Sequence, residues 1–93
     1  MDVKLAATIA AATVTFTSAG PFTILVGGPL EINEVIKVLF TGPSGVLEPA
    51  TVAGENLTLS RKQNVLPIYT VGGIDWTFVK PATKGLVSIG VAA

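Results

Sequence analysis

A chain of 93 residues suits one domain and leaves no room for a second core. Its six basic and six acidic side chains give a formal charge of zero, which excludes a field able to gather nucleic acid or an anionic membrane. Cysteine and histidine are both absent, so disulfides, thiolate chemistry, the commonest general base and the commonest metal ligand are removed together.

Hydrophobic residues make up 49% of the chain and charged residues only 13%, where an ordinary globular domain has about 25% charged residues. Mean hydropathy is +0.68, although alanine and valine supply much of it. A domain this short buries only about 60–65% of the surface its unfolded chain exposes. The polar residues are therefore too few to cover it, which favours a permanent partner, either protein or a second copy.

Val3–Thr17 is long for one strand. Its second half alternates Thr13, Thr15 and Thr17 with Val14 and Phe16, the pattern of a half-buried strand. The first half is alanine-rich and reads as an extended arm over residues 1–12, a strand that changes partner at the alanines, or a helix. Lys4 followed by Leu5–Val14 also resembles a signal peptide with Ser18-Ala19-Gly20 as its cleavage site; Asp2 and the run of threonines argue against it. Ser18-Ala19-Gly20-Pro21 breaks the pattern. Phe22, Ile24 and Val26 then alternate with Thr23 and Leu25 in a second strand, closed by Gly27-Gly28-Pro29.

Leu30–Thr41 satisfies two templates. Ile32, Val35, Ile36, Leu39 and Phe40 have helical spacing, with Pro29, Glu31 and Glu34 suited to a helix start. Val35–Thr41 is nevertheless dense in β-branched residues, and a helix would stand alone among strands. Consistency along the chain predicts a strand there, buried on both faces. Gly42-Pro43-Ser44-Gly45 is a turn, and Val46–Ala53 is a weak strand that Pro49 assigns to a sheet edge. Leu57–Ser60 alternates again, Arg61-Lys62-Gln63-Asn64 is a solvated loop, and Val65–Val71 is an edge strand marked by Pro67. The last stretch reads as a hairpin, Asp75–Val79 and Leu86–Val91, joined by a Lys-Pro-Ala-Thr-Lys-Gly corner. Trp76 and Phe78 share one face of its first strand; Val87, Ile89 and Val91 share one face of its second. Seven to eight short strands with glycine and proline between them predict a single antiparallel β-sandwich over residues 1–93, Ig-like or jelly-roll-like.

Reactive side chains are scarce. Glu31 and Glu34 are the only carboxylates close in sequence, and a solvated loop explains them. Ser18, Ser44, Ser60 and Ser88 lack a histidine or an S-x-x-K lysine, which argues against nucleophilic catalysis. The scattered carboxylates carry no metal-ligand spacing. The glycines lack the P-loop pattern, and Asn56-Leu57-Thr58 matches a glycosylation acceptor only as a short, chance-prone triplet. No catalytic, cofactor-binding or metal residue is expected, and no small-molecule substrate. Contact residues are sought instead at the basic pair Arg61 and Lys62 and the aromatics Tyr69 and Trp76, the last read as a core anchor or an exposed contact.

The Thr/Val/Ala-rich opening, the Gly42-Pro43-Ser44-Gly45 turn and the ending Trp76-Thr-Phe-Val-Lys-Pro-Ala-Thr with its terminal strand Leu86–Val91 resemble the small head-decoration and auxiliary virion proteins of tailed bacteriophages. That resemblance implies a compact β-sandwich without catalytic residues. It also implies oligomers seated on a capsid lattice, with the major capsid protein or another virion protein as partner. The expected location is the capsid surface, reached by assembly in the host cytoplasm. A carbohydrate-binding or adhesin-like sandwich is the alternative that residues alone leave open.

Overall fold

Alternation in the sequence becomes alternation in burial. In the computed structural model, which describes Met1 to Ala93, Phe22, Ile24 and Val26 are buried while Thr23 and Leu25 are only half-covered. Six strands are six or seven residues long: β1 (Asp2–Thr8), β2 (Ala12–Thr17), β3 (Phe22–Gly27), β4 (Ile36–Thr41), β10 (Asp75–Lys80) and β11 (Val87–Ala92). Between β4 and β10 lie β5 (Leu47–Pro49), β6 (Thr51–Val52), β7 (Glu55–Asn56), β8 (Thr58–Leu59) and β9 (Val65–Ile68). The eleven segments exceed the seven to eight expected, because Val46–Ser60 breaks at Pro49, Ala50 and the Ala53-Gly54 turn.

The architecture is an all-β sandwich. One sheet has the order β1-β11-β3-β9, and the other has β2-β10-β4-β5 with β8 also on β4; β6 and β7 form a separate hairpin. All pairings are antiparallel. The molecule is 21 Å through its shortest axis, which matches two sheets about 10 Å apart with their outer side chains. Fifteen buried apolar residues fill the space between, and Phe78, Ile24, Ile36, Leu59, Val87 and Ile89 are fully inaccessible. Every phenylalanine and the tryptophan join one aromatic chain. Phe16 meets Phe22 edge-on at 4.9 Å and Phe78 at 5.6 Å, Phe22 meets Trp76 at 5.6 Å, and Trp76 meets Phe40 at 6.1 Å. Such pairs contribute about 0.5–1.5 kcal/mol each beyond their buried area.

Three expectations are corrected. The C-terminal strands are not a hairpin: β10 is held between β2 and β4, while β11 lies in the opposite sheet between β1 and β3. Both flanks of each strand are already bonded, so the six-residue corner must arch from one sheet to the other. Residues 1–12 are not a free arm. They form β1 on the edge of β11 and then cross at Ile9–Ala11 into β2, the change of partner that the alanines allow. Finally, β4 is not buried on both faces. Ile36 and Val38 are buried, but Lys37 on the outer side is exposed.

The crossovers at one end of the sandwich are tied by two buried polar side chains. Lys80, 1% exposed, donates from Nζ to Ala10 O (2.8 Å), Pro81 O (3.0 Å) and Thr83 Oγ1 (3.0 Å). Its three protons thus have three acceptors. The Thr83 hydroxyl donates on to Gly85 O, and the Thr83 amide donates to Ile9 O. Glu34 is not the solvated loop residue expected. It is 8% exposed, and its two carboxylate oxygens accept from the amides of Glu31 and Lys84. Burial is tolerated in both cases because the charged atoms are fully hydrogen-bonded.

Ser18 performs the same task at the opposite end. Its hydroxyl reaches Val71 O (2.8 Å) and Ile74 O (3.2 Å), its amide donates to Ile74 O, and its carbonyl accepts from the Gly73 amide. Ser18→Ala is expected to cost about 1 kcal/mol by removing the hydroxyl's bonds to the Val71 and Ile74 carbonyls, which keep the Thr70 hydroxyl and the Ser18 amide as partners. The measurement is a lower urea midpoint with an unchanged denaturant slope.

Candidate functional site

The two sheets present different outer faces. On the β1-β11-β3-β9 sheet, the register places Val3, Gly90, Leu25 and Val65 in one row across all four strands. Ala92, Thr23 and Pro67 make the row on one side of it, and Ser88 and Gly27 the row on the other. None of these positions carries a charge. Met1 lies over Gly90, where a Cβ would come within 2.7 Å of its Sδ. Together with Leu25, Val65 and Asn64 it rims a hollow of about 360 Å³. The outer face of the second sheet differs. It carries Lys37 and Asp75 among threonines, with Thr15 bonded to Thr77 and Thr17 bonded to Asp75.

Charges gather at the ends instead. Arg61, Lys62 and Lys84 lie on connections at the Lys80 end; Asp2, Glu48 and Asp75 lie at the Ser18 end.

A second feature opens along the edge formed by β9 and β5. There the β6–β7 hairpin leaves the sheet after Ala50 and returns at Leu57, whose amide bonds to Ala50 O. Between hairpin and β9 lies a groove of about 730 Å³, lined by Phe40, Val52, Leu57, Leu66, Ile68, Tyr69 and Trp76 among others, none of them charged. The hairpin turns at Ala53 and Gly54, both at positive φ (54° and 81°), and all its residues are exposed. A non-glycine residue in that region costs on the order of 1–2 kcal/mol.

Of the four expected contact residues, Trp76 and Tyr69 line the same groove, while Arg61 and Lys62 lie apart from it. Trp76 is a core residue, 7% exposed, at the floor of the groove, and its Nε1–H has no partner within the chain. Tyr69 stands at the rim, 88% exposed. Arg61 and Lys62 are exposed in the Ser60–Gln63 turn, which is closed by reciprocal backbone bonds and by the Lys62 amide on Ser60 Oγ. Residue-by-residue reading misses Val3, Leu25 and Val65. The available signal is that each falls on the outward position of its strand, where a charged or polar residue is ordinary. Comparison with protein-family models, with curated proteins and with solved structures finds no match.

Proposed function

We propose that this chain is a non-enzymatic structural subunit that docks on an assembled viral shell as a capsid decoration or cement protein. The observation that carries the reading is the uncharged outer face of the β1-β11-β3-β9 sheet, four strands wide, in contrast to the outer face of the second sheet, which carries Lys37 and Asp75. A solvated sheet face normally alternates polar residues outward, whereas Val3, Leu25 and Val65 present apolar surface, with Met1 laid over Gly90 between them. Such a face is suited to burial against a partner of matching shape, where desolvation costs little. The partner is the major capsid protein or another virion protein, at the capsid surface after assembly in the host cytoplasm. The carbohydrate-binding alternative needs a platform of exposed rings, and of its two aromatics only Tyr69 is exposed.

Mass spectrometry of purified virions tests the assignment. The chain is expected at many copies per particle; particles without it would remove the reading.

A further inference from the structure

The sandwich has four free strand edges, β1, β9, β2 and β5. Three of them are guarded against pairing with another chain. The β1 edge is interrupted by register shifts between Val3 and Leu5 and between Leu5 and Thr8. The β9 and β5 edges carry Pro67 and Pro49, and β5 is only three residues long. Proline and bulges are the devices that block edge-to-edge association.

The β2 strand itself carries no such guard, although Lys4 of β1 holds its Nζ 5.1 Å from the Phe16 ring. It pairs with β10 over six residues without a shift, and its sequence, Ala12-Thr13-Val14-Thr15-Phe16-Thr17, contains no charge and no proline. The bond from the Ser18 amide to Ile74 O fixes which residues face β10. By antiparallel alternation, Ala12, Val14 and Phe16 bond to β10, and the N–H and C=O groups of Thr13, Thr15 and Thr17 point off the sheet. The chain makes 46 backbone–backbone hydrogen bonds, whereas about 60–65 are typical for this length.

We propose that β2 pairs antiparallel with β2 of a second copy, about a two-fold axis at Thr15, continuing the β2-β10-β4-β5 sheet through both molecules. The edge is self-complementary. Thr15 faces its own mate and Thr13 faces Thr17, which sets threonine against threonine with no like charges opposed. On the inner side Val14 meets Phe16 of the second copy, and both are half-exposed in the single chain although packed on its core. A closed two-fold contact of this kind ends at the dimer rather than growing into a fibre. The inference goes beyond the shell-docking reading and does not depend on it.

The test is sedimentation equilibrium together with amide hydrogen exchange on the full chain. The wild type is expected at twice the 9.5 kDa chain mass. The Thr13, Thr15 and Thr17 amides, without partners in one chain, should exchange about tenfold or more slowly than open amides and speed up on dilution. Thr15→Pro removes the outward N–H together with the Thr15–Thr77 hydroxyl bond, and Thr15→Lys removes that same bond and adds an edge charge. Each should return the mass to that of one chain, with Trp76 fluorescence unchanged as proof of folding. A monomeric wild type with freely exchanging threonine amides would overturn the pairing, as would a dimer that survives both substitutions. Protection that appears only on added capsids would also overturn it, assigning the edge to a shell strand. A dimer that ignores capsids would leave the pairing intact and remove the docking reading alone.

Discussion

Replacing Lys80 by methionine is expected to lower stability by about 3 kcal/mol, an unusual cost for losing a lysine. The methionine stem keeps most of the packing but cannot donate. Ala10 O, Pro81 O and Thr83 Oγ1 each lose a charge-assisted partner, and the Thr83 hydroxyl does so in a buried position. Ala10 lies on the β1–β2 crossover, and Pro81 and Thr83 on the β10–β11 arch, so the loss unties two inter-sheet connections at once. Lys62→Met, on the exposed turn, is the matched control and should change stability by less than about 0.5 kcal/mol. Urea unfolding of the two variants side by side checks the difference. Equal effects would show that the buried ammonium is not what ties this end.

Phe78→Ala is expected to cost still more, about 3–5 kcal/mol. Phe78 is fully inaccessible at the middle of β10, with Trp76↔Phe40 as the neighbouring pair and the Phe16 ring tilted against it at 5.6 Å. Its removal opens a cavity that two sheets clamped at both ends cannot collapse to fill. Small domains have about 5–15 kcal/mol in total, so the variant should melt far below the wild type or fail to fold. Thermal unfolding followed by Trp76 fluorescence gives the answer. A shift of only a few degrees would mean that the aromatic chain is not the centre of the core.

These two residues also mark where sequence reasoning succeeds and where it stops. Phe78 is legible because Trp76, Phe78 and then Val87, Ile89 and Val91 keep a period of two and are all buried, although Thr77 and Gly90 between them are buried as well. The same logic recovers β2 and β3, whereas consistency along the chain selects strand over helix at β4, and Ile32, needed by the helical spacing, is 70% exposed. Lys80 is not legible in its role. It continues the inward face of β10, but the acceptor at Ala10 is 70 residues away in the chain, and only the fold brings it close. Glu34 is hidden for the same reason, its second oxygen being bonded to the amide of Lys84.

Strand direction is local, whereas sheet membership is not. The Lys-Pro-Ala-Thr-Lys-Gly corner has the composition of a hairpin turn, and nothing within it reveals that both flanks of β10 are occupied by β2 and β4. The uncharged outer face is likewise assembled from Val3, Leu25, Val65 and Gly90, which no short window of sequence contains. The basic pair Arg61-Lys62 is conspicuous in the sequence yet sits on an isolated turn, apart from that face.

The central claim is that the apolar face of the β1-β11-β3-β9 sheet seats this chain on a protein shell. The most direct measurement is co-sedimentation of the purified chain with assembled capsids, comparing wild type with Leu25→Asp, a charge placed mid-row on a face that now has none. The wild type should pellet with capsids and the variant, folded by its near-ultraviolet circular dichroism, should lose at least about tenfold in affinity. Wild-type chain left in the supernatant, or a variant that pellets equally well, would contradict the account.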